Sequence, residues 1–176
     1  MSKVVIVSSS MRKGNSDKLC DEFEKGAKTA GHIVSRINLR DINMKFCKAC
    51  SDCYTIGKCQ IQDDMNSLYE IIKNADILVL STPIYYSEIC GQLKTFFDRM
   101  YPIYNKLKAK KAYIIASCYQ NDKKYLEDSV LAINKFLYHA GNIPLEAIIH
   151  GENTDEIDDI TQQQKLKAYK AGLSIK

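Results

Sequence analysis

The chain has 176 residues, of which 45% are hydrophobic and 26% are charged, and its formal net charge is +4. This length and composition predict one globular domain over residues 1–176 and exclude a disordered chain. The lysines are scattered and no basic stripe alternates with aromatic residues, so we expect no nucleic-acid partner. No apolar run is long enough for a membrane span, and the N-terminus has no leader pattern, so we expect a cytoplasmic protein without membrane association.

Cysteine is the most unusual feature of the composition. The chain has seven, an odd number, and cytoplasmic thiols stay reduced, which argues against a disulfide framework. Four of them lie within thirteen residues: Cys47, Cys50, Cys53 and Cys59. The other three stand alone and are interpreted as small buried apolar side chains: Cys20, Cys90 and Cys118. The crowded segment therefore indicates metal or redox chemistry.

Apolar, β-branched runs predict strands at residues 3–8, 32–39, 75–81, 112–117 and 144–149. Helical periodicity predicts helices at residues 16–30, from Asp64 or Asn66 onwards, at 92–100, at 126–137 and at 156–171. The pair Thr82-Pro83 is expected to stop the third strand. This alternation predicts an α/β fold, a flavodoxin-like doubly wound five-stranded parallel sheet of order 2-1-3-4-5. The cysteine-rich loop, residues 43–63, would then be inserted between strand 2 and helix 2.

The tip of the first strand has the composition of a phosphate-binding loop. Its candidate residues are Ser10, Arg12, Lys13, Gly14, Asn15 and Ser16. They lie between a strand and a helix N-terminus, where free backbone N–H groups and the helix dipole favour an anion. The dinucleotide and Walker patterns are absent, so a terminal phosphate suits the loop better than a pyrophosphate. The alternative is a polar turn with an ordinary helix cap.

The tip of the third strand offers a platform for a flat ring. Its candidate residues are Pro83, Ile84, Tyr85 and Tyr86. A rigid apolar turn with two tyrosines can hold a planar ring by stacking and backbone hydrogen bonds. Because ligands of such sheets bind at the carboxyl ends of neighbouring strands, the two tips together indicate a mononucleotide with a large planar base.

Two motifs carry a resemblance to a known family. The segment Ser10–Ser16 resembles the S-x-R-x-x-G-N-S/T loop of the NADPH-dependent FMN reductase branch of the flavodoxin superfamily. Pro83–Tyr85 is similar to its P-x-Y element, and Gly91–Arg99 to its G-x-L-K-x-F-x-D-R element. Within the latter, Asp98 and Arg99 are interpreted as structural helix residues rather than ligands.

The resemblance implies FMN as cofactor. It implies phosphate contacts from Ser10, Arg12, Asn15 and Ser16, and an isoalloxazine ring near Pro83–Tyr86. It also implies a third contact loop at Ser117, Cys118 and Tyr119, where this sequence lacks the glycines common in the family. Flavin sites of this branch are often completed by a neighbouring subunit, so the resemblance further implies a homodimer or homotetramer.

The cysteine spacing predicts a [4Fe-4S] cluster. Cys47, Cys50 and Cys53 form the compact C-x2-C-x2-C run of ferredoxin-type loops, and Cys59 follows after five residues that include Gly57. Zinc sites more often have two C-x2-C pairs with a longer spacer. The motif also resembles that of iron-sulfur flavoproteins, a subgroup of the same branch, at the same place between strand 2 and helix 2. The alternatives are structural zinc, a redox disulfide or free thiols.

These features predict a flavin-dependent oxidoreductase that moves electrons between a cluster and FMN. We expect a ferredoxin-like protein or NAD(P)H as electron donor, and a small molecule or a protein as acceptor. No Ser-His-Asp or Cys-His arrangement is evident, so no side chain is expected to act as a covalent catalyst. One alternative is an NAD(P)H-dependent FMN or quinone reductase whose cysteine loop holds zinc or free thiols. Another is a non-catalytic binding module without flavin.

Overall fold

The apolar runs of the chain form the centre of a parallel sheet. The computed structural model describes residues 1–120 and 124–176. The central strands β1 (Lys3–Ser8), β3 (Ile77–Tyr85) and β5 (Lys111–Ser117) are buried along most of their length, because helices cover both faces. The outer strands β2 (Ile33–Asn38) and β6 (Leu145–Gly151) alternate between more and less buried positions, and the parallel order is β2-β1-β3-β5-β6.

A short sixth strand corrects the predicted strand count. Strand β4 (Glu88–Ile89) pairs antiparallel with the end of β3, with Tyr85 opposite Glu88. The α/β flavodoxin-like parallel sheet is confirmed, and its parallel strands follow the order β2-β1-β3-β5-β6, but the sheet of the described residues has six strands instead of the predicted five, because β4 pairs with β3. A two-residue strand leaves no periodic pattern in a sequence, so the prediction had no signal from which to find it.

Strand β3 also continues past the expected stop at Thr82-Pro83. It pairs with β5 as far as Pro83 opposite Ser117. Its pairing with β1 ends earlier, at Ser81 opposite Ser8. Because proline is tolerated where a strand has a partner on one side only, Pro83 can extend the strand instead of ending it.

The helices have the following bounds: α1 Asn15–Thr29, α2 Asp52–Ile56, α3 Met65–Lys73, α4 Gly91–Arg99, α5 Lys124–His139 and α6 Gln162–Leu173, with 3-10 turns at Leu39–Asp41 and Tyr101–Lys106. Helix α6 starts later than the predicted Glu156, because Thr161 and Gln164 form a capping box that fixes its first turn. In the described ranges, no helix is both long and apolar enough to cross a bilayer.

Helices α1 and α6 pack together on one face of the sheet, while α3, α4 and α5 contribute to the core on the other. The α1–α6 contact is backbone against backbone. A Cβ atom added at Gly26 would lie 2.0 Å from the carbonyl oxygen of Tyr169, and one added at Gly172 would lie 2.1 Å from that of Phe23. Since only glycine fits at either position, α6 holds α1 closely in place.

The cysteine-rich loop 43–63 leaves and rejoins the fold at one point. The backbone N–H of Asn43 donates to Oδ2 of Asp64 over 2.7 Å, and the N–H of Asp64 donates to the carbonyl of Asn43 over 3.2 Å. The loop lies between β2 and α3 and contains the short helix α2. Helix α3 begins directly after Asp64, which is one of the two predicted start positions.

Candidate functional site

A cleft of about 180 Å³ lies at the carboxyl ends of β1, β3 and β5. Its lining residues come from all three predicted loops and one further loop: Ser10, Arg12, Gly14, Asn15, Ser16, Pro83, Ile84, Tyr85, Ser117, Cys118, Tyr119, Thr154 and Asp155. The structure therefore brings together the predicted cofactor residues except Lys13 and Tyr86. This is the edge of the sheet at which an open α/β fold binds its ligand.

The first-strand loop turns tightly into α1. The Ser10 hydroxyl donates to the carbonyl of Arg12, and the Gly14 N–H donates to the same carbonyl over 2.7 Å. Gly14 precedes α1, and among the described residues no side chain caps that helix end. The first-turn N–H groups of α1 thus have no side-chain partner, which suits a bound phosphate. Arg12 and Lys13 are exposed, but Lys13 lies outside the cleft.

The side-chain amide of Asn15, a predicted phosphate contact, binds the loop between β6 and α6. Its Nδ2 donates to the carbonyl of Glu156 over 2.7 Å, and its Oδ1 accepts from the N–H of Asp158 over 3.2 Å. Both ends of the amide are therefore engaged by the loop between β6 and α6. This contact holds that loop against the start of α1.

The loop after β6 supplies two cleft residues that the sequence interpretation missed. The Thr154 hydroxyl and N–H donate to the carbonyl of Cys118 over 3.0 and 3.1 Å, and Asp155 follows in the cleft wall. The signal that could have found them is their position just beyond the carboxyl end of the last strand, on the same edge as the other tips.

A buried charge network lies beneath the phosphate loop. The carboxylate of Asp17, 3% exposed, accepts from the Ser8 hydroxyl over 2.5 Å and from Arg36 over 2.6 Å. Arg40 contacts the other carboxylate oxygen and donates to the carbonyl of Ser10 over 3.2 Å. Sequence reasoning missed this network, because an aspartate in a first helical turn is ordinarily a solvated charge.

The two tyrosines predicted at the end of β3 lie in different environments. Tyr85 is 46% exposed and lines the cleft, whereas Tyr86 projects fully into solvent. Tyr86 and Ser87 have φ angles of 54° and 64°, as in the tight turns that join antiparallel strands. The turn into β4 therefore points Tyr86 away from the site.

The third contact loop contains a thiol–imidazole pair that the sequence did not predict. The Sγ of Cys118 lies 3.4 Å from Nε2 of His150, and Nδ1 of His150 lies 3.5 Å from a carboxylate oxygen of Glu152. Parallel pairing of β5 with β6 brings these distant positions together, which no local sequence pattern indicates. Burial raises the pKa of the Cys118 thiol, which disfavours its thiolate form.

The four crowded cysteines line a second pocket, of about 550 Å³, together with Arg99 and residues of α2 and the 3-10 turn after α4. Cys47 and Cys50 are exposed, and Cys53 and Cys59 are half-buried. Burial, and then the neighbouring Cys59, Cys47 and Cys50, raise the pKa of the Cys53 thiol. The isolated cysteines are all buried, as predicted: Cys20, Cys90 and Cys118.

The cysteine pocket contains the ligands that a multi-iron group needs, but they do not form a closed metal site. Over residues 1–120 and 124–176, no three His, Cys, Asp or Glu side chains converge as a group that would hold a metal ion. The four cysteines nevertheless line one pocket. A cluster takes one thiolate at each iron corner, so its sulfur ligands surround it from separate directions. The number and type of the donors therefore suit a cluster.

Comparison with known proteins gives the family. Residues 1–143 match the family described as NADPH-dependent FMN reductase. The chain is similar to an iron-sulfur flavoprotein of Archaeoglobus fulgidus, with 31% identity over 113 residues, 64% of this chain and 51% of that protein. It is also similar to an iron-sulfur flavoprotein of Methanosarcina thermophila, with 34% identity over 98 residues, 55% of this chain and 51% of that protein. The chain thus spans about half the length of these curated relatives.

Solved structures share the fold. The NAD(P)H:quinone oxidoreductase from Methanothermobacter marburgensis superposes with a TM-score of 0.81 at 19% identity, covering 98% of this chain and 94% of that one. An azoreductase from Bacillus anthracis superposes with a TM-score of 0.73 at 17% identity, covering 99% and 100%. The family match includes the phosphate loop, the tip of β3 and the cysteine segment, and it confirms the resemblance inferred from the motifs. The chain belongs to the NADPH-dependent FMN reductase family, a family of FMN-dependent oxidoreductases.

Proposed function

We propose that this protein binds FMN in the cleft at the strand tips and transfers electrons between the flavin and a [4Fe-4S] cluster held by Cys47, Cys50, Cys53 and Cys59. The observation that carries the proposal is that the four cysteines line one pocket in a chain whose fold and family are those of FMN reductases. A one-electron group beside a flavin converts between single-electron carriers and two-electron donors or acceptors.

The cleft residues have separable parts in FMN binding. The uncapped N–H groups of α1 and the guanidinium of Arg12 would hold the phosphate, with Ser10 and Ser16 beside them. The walls formed by Pro83–Tyr85 and by Ser117–Tyr119 would position the ring and keep water from its faces. The protein's contribution is position and electrostatics, and the redox chemistry belongs to the bound groups.

The test is anaerobic purification followed by flavin, iron and acid-labile sulfide analysis. We expect bound FMN, iron and sulfide, with a broad cluster absorption beneath the flavin bands. Cys50→Ala should lose iron and sulfide and keep FMN, whereas Cys20→Ala, at a buried cysteine outside the pocket, should keep all three. A wild-type protein with FMN but without iron and sulfide would contradict the cluster.

A second candidate is an NAD(P)H-dependent FMN or quinone reductase whose cysteine loop holds zinc or free thiols. It is favoured by a similarity that spans nearly the whole chain. The Bacillus subtilis protein YwqN, whose name describes an NAD(P)H-dependent FMN-containing oxidoreductase, is 25% identical over 179 residues, which cover 94% of this chain and 93% of that one. Rapid reduction of the flavin by NAD(P)H together with bound zinc would favour this candidate. Slow reduction by NAD(P)H and rapid reduction by a ferredoxin-like protein would favour the first.

A further inference from the structure

Arg99, the last residue of α4, reaches into the base of the cysteine-rich loop. Its Nη1 donates to the carbonyl of Lys45 over 2.7 Å, and its Nη2 donates to Oδ1 of Asp63 over 2.9 Å. The same Nη2 lies 3.7 Å from the Sγ of Cys59, within hydrogen-bonding distance for sulfur. One guanidinium therefore contacts both stems of the loop and one of its four cysteines.

The ion pair of Arg99 with Asp63 is fully enclosed, and neither side chain is exposed. The Asp63 carboxylate also accepts from the backbone N–H groups of Lys45, over 2.9 Å, and Met65, over 3.2 Å. Although burial opposes it, hydrogen bonding from Arg99 and from Lys45 holds the pKa of Asp63 below its ordinary value. A buried ion pair whose members are hydrogen-bonded in this way fixes geometry more than it adds stability.

The backbone of Arg99 is held as firmly as its side chain. The Tyr69 hydroxyl, from α3, donates to the carbonyl of Arg99 over 2.8 Å. Arg99 is thus held by α3 through its backbone and by both loop stems through its guanidinium. An arginine on a helix surface, free to move in solvent, would have none of these constraints.

We propose that Arg99 is the positioning residue of the cysteine site: Asp63 and Lys45 orient its guanidinium so that Nη2 donates a hydrogen bond to the sulfur of Cys59 when that sulfur ligates metal. Hydrogen bonds to ligating sulfurs, and a nearby positive charge, stabilise the thiolate and favour the reduced state of a cluster. The expected effect of Arg99 on metal affinity depends only on the four thiols. Its expected effect on the reduction potential of a cluster rests on the proposed function.

Lysine cannot replace this arrangement. Its single ammonium group lacks the planar fork that allows arginine to bind both carboxylate oxygens, a carbonyl and a sulfur at once. Arg99→Lys therefore keeps the charge and loses the geometry. A matched control is Lys94→Gln, an exposed residue of the same helix whose ion pair with Asp98 lies at the surface.

The first experiment titrates the reduced, metal-free full-length protein with Co²⁺ and follows the thiolate-to-cobalt absorption. We expect Arg99→Lys to weaken Co²⁺ binding by roughly tenfold or more, as for other residues that orient metal ligands, and Lys94→Gln to leave it unchanged. FMN binding should not change in either variant, which separates this effect from a fold defect. Unchanged Co²⁺ affinity in a folded Arg99→Lys protein would overturn the proposal.

The second experiment uses the wild-type chain, so it does not depend on a variant that folds. Protein labelled with 15N-arginine is examined by pulsed electron paramagnetic resonance, either with its reduced cluster or, where no iron is present, with Co²⁺. We expect a weak 15N coupling from the arginine that faces Cys59. Its absence would overturn the proposal. Absence of iron would instead contradict only the proposed cluster, because the cobalt site still reports on Arg99.

Where the cluster is present, its reduction potential gives a third readout. Loss of the N–H donor to Cys59 should shift the potential of the Arg99→Lys protein to more negative values, because the reduced cluster loses a stabilising hydrogen bond. Lys94→Gln should keep the wild-type potential. A merely structural arginine would change the thermal unfolding temperature of the protein and leave the potential of its folded form unchanged.

Discussion

The guanidinium of Arg40 donates to the carbonyl of Ser10 over 3.2 Å and binds the buried carboxylate of Asp17 with the same nitrogen. The phosphate loop is thus braced from below by a residue that follows β2, about thirty positions along the chain. Asp17 connects this brace to α1, whose first turn faces the cleft. The orientation of the loop is therefore set before any ligand binds, which reduces the entropy lost on binding.

Replacing Arg40 should weaken FMN binding without removing any predicted ligand contact. We expect Arg40→Met to raise the Kd for FMN by roughly tenfold, the loss of about one charge-assisted hydrogen bond, because the Ser10 carbonyl and the buried Asp17 carboxylate each lose a donor. Flavin fluorescence titration measures the effect. Lys25→Met, on the exposed side of α1, is the control, and an equal loss in that variant would contradict the bracing role.

Arg12 should contribute to phosphate binding and not to ring binding. Its side chain is exposed at the cleft, where it is available to an anion. We expect Arg12→Met to weaken FMN binding by roughly ten- to a hundredfold, and to change riboflavin binding little, because riboflavin lacks the phosphate. Parallel titrations with the two flavins measure this difference. Equal losses for both ligands would show that Arg12 acts on the ring or on the fold.

The cysteines should differ in reactivity as their burial dictates. Burial raises the pKa of Cys20 to about 12, so this thiol stays protonated throughout the usual pH range of alkylation. In metal-free, reduced protein, iodoacetamide should modify the exposed Cys47 and Cys50 first and leave Cys20 unmodified until the protein unfolds. Peptide mass spectrometry identifies the modified sites. Protection of Cys47 and Cys50 from alkylation after metal loading would support their role as metal ligands. Early modification of Cys20 in the folded protein would contradict its buried position.

Acid should loosen the base of the cysteine-rich loop. The pKa of Asp63 is held below its ordinary value of 3.8 in the folded protein, despite the opposing effect of burial, by hydrogen bonds from Arg99 and from the backbone. A depressed folded pKa contributes stability above the unfolded pKa, and this contribution is lost as pH falls through the folded value. Urea unfolding between pH 7 and pH 3 should therefore show a steeper loss for wild type than for Asp63→Asn. Asp98→Asn, at an exposed ion pair, should follow the wild-type profile.

The α1–α6 contact should not tolerate a side chain. A Cβ atom at Gly26 would lie 2.0 Å from a backbone oxygen of α6, and backbone cannot move aside as a flexible side chain can. We expect Gly26→Ala to lower the free energy of unfolding by about 3 kcal/mol or more, from overpacking. The control is Gly91→Ala, where no atom lies within 4 Å of the added Cβ. Chemical denaturation measures both, and similar values for the two variants would contradict the close approach.

The sequence was sufficient for the parts of the fold whose side-chain pattern is local. The first strand was predicted at its observed bounds, Lys3–Ser8, because a strand buried on both faces is a continuous apolar run. The candidate phosphate-binding residues that line the cleft could be found together because they lie in one segment between β1 and α1. The start of α6 was placed too early because residues 156–160, with the sequence EIDDI, carry no local sign of their contact with Asn15.

The parts that escaped prediction depend on contacts between distant positions. Thr154 joins the cleft through the Cys118 carbonyl, and Cys118 meets His150 only because β5 and β6 pair. Arg99 was interpreted as a structural helix residue, which its contacts partly support. Its approach to Cys59, forty positions away, depends on how the loop folds back and leaves no mark in either local pattern.

The hydrogen bonds between Asn43 and Asp64 bring the two ends of the cysteine-rich loop together at one point of the fold. A loop that begins and ends at one point can be shortened, exchanged or transplanted while the sheet and the cleft at its edge keep their connections. Transfer of the segment to another protein of this fold would also have to bring along an arginine at the end of the fourth helix.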